Sequence, residues 1–434
     1  VSNIRGCLNH HEGGFFISRK LVASIKEQAI RLDDPSVFDR LLKDIGEGQI
    51  VMIGEATHGT SEFYRLRAEF SKRLIQEKGF AAIAVEGDWP SVQRINSYVK
   101  CYNDETSLNE LLSRSFSRWP AWMWANEEIE EFVTWLANEN RQRGSDSSVG
   151  MYGIDLYSLY DSIDEVMNFL ESHSSYGADL ELAKKAFSCF EPYNRMPEHY
   201  ALSSAHFTDQ CITEVTSLLE SIRINEEHYP RAHEQDLNLT MNALVAKNAE
   251  AYYRAMLQDD ALSWNIRDTH MAEAIKEVQN YYGKDAKIIV WEHNTHIGDA
   301  SATSMTDHGL TNVGQLIREQ NGRDNTYAIG FGTYEGTVIA GSSWGETPEE
   351  MVIPPARFNT WEGQLHAAGA HDKMLLFNDE NRKQFDEWIG HRAIGVVYHP
   401  EFEAHGNFVP SRISERYDAF LYIDRSTALR PLSW

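Results

Sequence analysis

Short apolar runs that end on acidic or imidazole side chains, with amphipathic helical stretches between them, constrain this chain more than any other feature. The first run, QIVMI, opens into GEATHG at residues 54–59. The segment SEFYRLRAEFSKRLIQEKG follows, placing Phe63, Leu66, Phe70 and Leu74 at spacings of three and four, which predicts a helix capped by Gly79. Next, FAAIAV meets Glu86, Gly87 and Asp88. Two strands joined by a right-handed helical crossover are parallel. The same ending recurs where VGMYGID reaches Asp155, where KIIVWEHNTH carries His293 and His296, and where AIGVVYHPE reaches Glu401. In open parallel sheets, ligands lie beyond the carboxyl ends of the strands, so this repeated placement points to a site there. Taken singly, Asp155 or His399 reads as a capping or solvated turn residue. The recurrence over several strands is what favours function.

Around these runs the rest of the chain falls into place. Residues 16–45 read as two amphipathic helical stretches broken near Asp34 and Pro35. From Ser158 to Asp285 the pattern is helical, as in AHEQDLNLTMNALVAKNAEAYYRAML. The β-branched and aromatic stretch DNTYAIGFGTYEGTVIA, with Gly332 and Gly336 near its middle, predicts a hairpin, and MLLFN and DAFLYID add short strands. The expected fold is a three-layer α/β protein whose mostly parallel central sheet is flanked by helices. Residues 1–157 and 286–434 would form the α/β unit, and 158–285 a large helical insertion within it. A chain of 434 residues can bury such a core.

Composition narrows the partners. A formal charge of −25, with no basic cluster interleaved with aromatics, argues against nucleic acid. No apolar run of about 18 residues is present to span a membrane. The opening VSNIRGCLNHHEGG lacks the features of a secretory leader, as a processed precursor also would, so the cytoplasm is the expected location. Cys7, Cys101, Cys189 and Cys211 have no CxxC spacing and read as buried thiols. Oligomeric state is not legible.

In GEATHG, Glu55 and His58 share one turn, and the glycines allow a sharp bend and close approach of a ligand. A carboxylate bonded to imidazole fixes its tautomer and raises its basicity, as a general base acting on water requires. Glu86 offers a second carboxylate, and His293 with His296 a second imidazole pair. Two carboxylates and three histidines also make a plausible zinc or manganese shell, so a divalent metal at this cluster stays open as an alternative. A non-catalytic haem or ligand-binding protein of related fold is the other. GSSWG, residues 341–345, satisfies the nucleophile-elbow pattern, yet Pro348, Pro354 and Pro355 leave little room for the helix an elbow needs. In SRWPAWMWANEEIEEFVTWL, Trp119, Trp122, Trp124 and Trp135 read as core packing or as an aromatic wall over the cleft.

GEATHGTSEFYRLR, then VEGDW, then WEHNTHIG, in that order, resembles the erythromycin esterase family, and GIDLY, PAWMWANEE, RDTHMAE and RYDAFLYI extend the likeness over most of the chain. The resemblance implies hydrolysis of an ester or macrolide lactone by water, with no covalent intermediate and no required cofactor; macrolide inactivation is the family's namesake activity. Carried over residue by residue, His58 is the general base, and Glu55 and Glu86 orient it or the water. His293 and His296 position water or polarise the carbonyl. Arg67 matches a family arginine that stabilises developing negative charge, with Arg65 the competing candidate. Apart from the resemblance, Arg65, Trp122, Trp124 and Asp155 are expected to meet a small-molecule ester or lactone substrate.

Overall fold

The β-branched and small apolar residues of the runs form one sheet of nine strands. The computed structural model describes residues 18–102, 107–173, 177–204, 211–228 and 234–432. The opening VSNIRGCLNHHEGG, with Cys7, lies outside them. Described strands in chain order are β1 (Ile30–Arg31), β2 (Ile50–Ile53), β3 (Ala82–Asp88), β4 (Gly150–Asp155), β5 (Ile288–Trp291), β6 (Thr326–Ala340), β7 (Glu349–Ile353), β8 (Lys373–Leu376), β9 (Trp388–Arg392), β10 (Phe408–Arg412) and β11 (Ala419–Ser426). The main sheet runs β1-β8-β11-β6-β2-β5-β3-β4, with β7 paired to β6; β9 and β10 form a separate pair. From β11 to β4 every neighbouring pair is parallel, whereas β1, β7 and β8 are antiparallel additions.

Side chains alternate between two apolar layers. Met52, Ala84 and Val290 face one core, shared with Val166, Leu244 and Ile275 of the helices that lie between β4 and β5. Val51, Ile83 and Trp291 face the other, shared with Phe70, Leu112 and Phe132. That is the period of two expected of a pleated strand covered on both faces, and it accounts for continuous apolar runs rather than polar alternation. Helix Ser61–Lys78 follows its predicted pattern: Phe63, Phe70 and Leu74 are buried, and Gly79 ends it in the left-handed region at φ 73° with its N–H on the Leu74 carbonyl. Burying one such phenylalanine contributes about 1.5–3 kcal/mol.

The strand order does what the local sequence does not announce. β2 and β3 are parallel, but β5, from more than two hundred residues on, is inserted between them, with Ile53, Trp291 and Val85 in register. The chain ends that leave β2, β5, β3 and β4 therefore emerge side by side on one edge.

Three expectations need correction. DNTYAIGFGTYEGTVIA is one continuous strand, β6, whose first half pairs with β2 and β11 and whose last residues pair with β7; Gly336, at φ 148°, lies where the partner changes. AIGVVYHPE is an extended segment outside the sheet, held by single bridges from Ile394 to Thr57 and from Val397 to Gly341, and its His399 is exposed. Cys189 and Cys211 are joined in a disulfide, because helices Gly177–Ser188 and Ile212–His228 pack together and bring their Cα atoms to 5.8 Å. Their separation of 22 residues gave no local spacing signal. Cys101 is an exposed free thiol. No helix among the described residues is long and apolar enough to cross a membrane.

Candidate active site

The turn after β2 is held by close approach. Neither Gly54 nor Gly59 has a positive φ. Instead, a Cβ on Gly54 would meet Asn294 Oδ1 at 2.2 Å, and one on Gly59 would meet the Ile339 carbonyl at 2.0 Å. Asn294 also locks its own turn to this one: its backbone N–H donates to the Glu55 carbonyl at 2.8 Å, and its side-chain amide donates to the Phe331 carbonyl at 2.7 Å. The GEATHG and HNTH turns are thus one unit, made contiguous by β5.

His58 Nδ1 bonds to Glu55 Oε1 at 2.8 Å. A carboxylate there accepts the Nδ1 proton and leaves Nε2 as the basic nitrogen. The other oxygen of Glu55 lies 2.7 Å from the Arg67 guanidinium, an ion pair out of line for a hydrogen bond. Arg67 is buried, with its guanidinium 4.2 Å from the Tyr64 ring and 5.1 Å from the Trp291 ring. It stands behind Glu55 and is absent from the cavity lining, so the oxyanion role expected of it does not fit its position. Arg65 is exposed, because two positions along a helix turn a side chain through about 200°. It also lies outside the cavity.

The imidazoles converge. His58 and His293 rings are 4.8 Å apart. The His293 backbone N–H donates to Glu86 Oε2 at 2.8 Å, its Nδ1 meets Thr295 Oγ1 at 2.8 Å, and its buried Nε2 has no hydrogen-bond partner among the described residues. Burial, followed by the nearby His58, pushes His293 well below the usual histidine range, so it is neutral. His296 is saturated: Nδ1 bonds to Asp268 at 2.9 Å, Nε2 accepts from Arg267 at 2.9 Å, and Trp264 stacks on its ring at 4.7 Å.

Arg267 organises this edge of the sheet. It donates to both oxygens of Asp155, at 2.9 and 2.6 Å, and to Glu86 Oε1 at 2.7 Å. Burial alone would raise the Glu86 carboxyl. The Arg267 guanidinium and the His293 N–H outweigh it and hold Glu86 below the carboxylate range. Asp155 is likewise lowered, with Arg267 overcoming burial. Both acids are charged, and both line the cavity together with His58, Arg267 and Trp124. Trp124 donates its indole N–H to the Glu86 carbonyl at 3.1 Å. Trp122, by contrast, is buried away from the cavity lining, and half-buried Trp135 stacks on Phe132; the aromatic side chains that line the cavity are Phe116, Trp119, Trp124, Tyr157 and Trp344. GSSWG is an exposed turn with no helix after it, which removes Ser343 as an elbow nucleophile.

Among the described residues no group of three or more His, Cys, Asp or Glu side chains is arranged to hold a metal ion, and Glu55, Glu86 and Asp155 are each paired with a guanidinium.

Arg267, Asp268 and Trp264 were not assigned roles from the sequence, although RDTHMAE contains the first two. Their one signal was an Arg-Asp pair inside a helical pattern, which ordinarily reads as surface charge. Glu292, one residue before His293, has no local signal of its own either. It is fully buried, and neither carboxyl oxygen has a partner among the described residues. Burial, then Glu86 and Asp268, push it well above its ordinary 4.5. A carboxyl raised in the folded state contributes its full stability below its unfolded pKa and loses it as pH rises. Glu292→Gln is therefore expected to raise the urea midpoint, by a margin growing about 1.4 kcal/mol per pH unit above that value while wild-type Glu292 stays protonated in the fold. Equal margins at pH 5 and pH 8 would show that Glu292 is ionised in the native state.

An open parallel sheet whose strand ends gather a carboxylate–imidazole pair, a second histidine pair and a clamped arginine defines an α/β protein with a hydrolase-like site. The profile of the erythromycin esterase family matches residues 75–426, and the chain belongs to that family. It is 22% identical over 412 residues to the Bacillus subtilis protein YbfO, which carries a provisional hydrolase name, covering 89% of this chain and 86% of that one. It is also 22% identical over 371 residues to the erythromycin esterase type II of Escherichia coli, covering 80% and 85% of the two chains. A crystal structure of a succinoglycan biosynthesis protein superposes with a TM-score of 0.77 at 19% identity over 96% of this chain and 100% of that one, which shows the fold. Family membership supports a hydrolase.

Proposed function

We propose that the chain cleaves a carboxylic ester or macrolactone with water activated by His58, without a covalent enzyme intermediate and without a metal. The observation that carries this reading is His58, bonded to Glu55 and lining a cavity whose wall also holds Arg267 and Glu86. His58 Nε2 takes a proton from water; the resulting hydroxide forms a C–O bond at the ester carbonyl, and the C=O electrons move onto oxygen. Arg267 has five N–H donors and uses four on Asp155, Glu86 and His296, which leaves one on its Nη1 for the oxyanion. Collapse breaks the bond to the leaving alkoxide, which takes the proton from His58. Glu55, backed by Arg67, stabilises the imidazolium between these steps.

Glu55→Gln, which offers His58 an amide in place of the carboxylate, is expected to lower kcat at least tenfold with a smaller change in KM. Exhaustive dialysis against EDTA is expected to leave kcat within twofold of the untreated enzyme. Loss of activity restored by zinc or manganese would replace this mechanism with a metal-dependent one. A panel of esters and lactones, macrolides included, assayed with wild type and the His58→Asn variant, tests the reading as a whole, and equal rates from the two proteins would overturn it.

A further inference from the structure

We infer that the mouth of the cavity is a recognition subsite for a neutral, polyhydroxylated ring carried by the substrate, with Trp344 and Trp119 as its stacking surface. The inference rests on the hydrolytic reading and adds a substrate class to it. Trp344 is 60% exposed, although an indole is among the most favourable groups to bury. It belongs to GSSWG, the turn that has no part in the chemistry above. Its ring contacts Trp119 at 4.6 Å and 57°, and Trp119 is itself pinned by donating its indole N–H to the Glu346 carbonyl at 2.8 Å. Two aromatic faces from distant parts of the chain are thus fastened to each other at the wall of the reaction cavity, and both line it. Exposed aromatic surface at such a mouth marks ligand contact.

The groups beside the indoles define what stacks there. Arg118 and Asp88 form an ion pair in the same lining, and Arg118 also donates to the Tyr157 carbonyl at 3.1 Å. This is a fixed donor–acceptor pair next to an aromatic face. A ring with C–H faces and hydroxyl edges satisfies both, whereas a purely apolar ring would dehydrate the ion pair with nothing in return. Charge decides against acidic rings: Glu86, Asp88 and Asp155 outnumber Arg118 and Arg267 in the lining, on a chain of formal charge −25.

Mono-O-acetylated cellobiose, O-acetylated glucuronate, cyclohexyl acetate and ethyl acetate test this together. In wild type the cellobiose ester is expected to be preferred. Trp344→Ala is expected to lower the kcat/KM ratio of cellobiose ester to ethyl acetate about tenfold, mainly through KM, and Trp344→Phe to restore most of it. In the His58→Asn background, quenching of tryptophan fluorescence by the cellobiose ester reads binding without turnover, and adding Trp344→Ala should weaken it at least fivefold. Unchanged selectivity in Trp344→Ala, or no binding of the acetylated sugar, overturns the subsite. Preference for cyclohexyl acetate or the glucuronate ester overturns the class of ring. Binding that depends on Trp344, without turnover of any ester by wild type, sinks the hydrolytic reading and leaves the subsite standing; turnover indifferent to Trp344 does the reverse.

Discussion

Replacing His58 with Asn is expected to lower kcat by about 10²–10⁴-fold on any ester the wild type hydrolyses, the range a positioned general base contributes. The effect falls on this histidine because neither of the other two lines the cavity. His296 spends both ring nitrogens on Asp268 and Arg267, and His293, whose Nε2 is unpartnered among the described residues, is pushed well below the usual histidine range by burial, which makes it a weak base. His58 alone combines a carboxylate on one nitrogen with a place in the cavity lining. Asn keeps a polar group near Glu55 but offers no basic nitrogen, so the urea midpoint should move little while turnover collapses. A variant that keeps more than a tenth of wild-type kcat would mean that some other group activates the water.

The second large effect is on stability. Arg267→Met leaves Glu86 and Asp155, both buried and ionised, without the cation that holds them, and removing one partner of a buried ion pair costs about 3–5 kcal/mol. Urea unfolding of this variant should show a midpoint lowered accordingly, with ester hydrolysis lost as well. Adding Asp155→Asn in the same chain should recover part of the stability and none of the activity, since it removes one uncompensated charge without restoring the donor. Arg267→Lys should rescue neither fully, because a point charge cannot reach Asp155, Glu86 and His296 at once from one planar fork. A wild-type midpoint in Arg267→Met would show that water or neighbouring donors already satisfy these acids.

Local sequence determined the pieces. Apolar period, β-branched content and Gly79 are short-range signals, and they place β2, β3, β4, β5 and the helix after β2 where the structure has them; the acids and imidazoles at the ends of these runs single out Glu55, His58, Glu86, His293 and His296, and the resemblance to one family adds the roles expected of them. These features are legible because strand alternation and helix capping depend on residues a few positions apart. Partners across the fold are another matter. That β5 enters between β2 and β3, that Arg67 backs Glu55 while Arg65 faces water, that Arg267 reaches across to Asp155 and Glu86, and that Cys189 meets Cys211 were settled only by packing. Strand order and helix phase are chosen by the burial of whole faces, and an arginine on a helical pattern looks the same in sequence whether its fork ends in solvent or between two buried carboxylates.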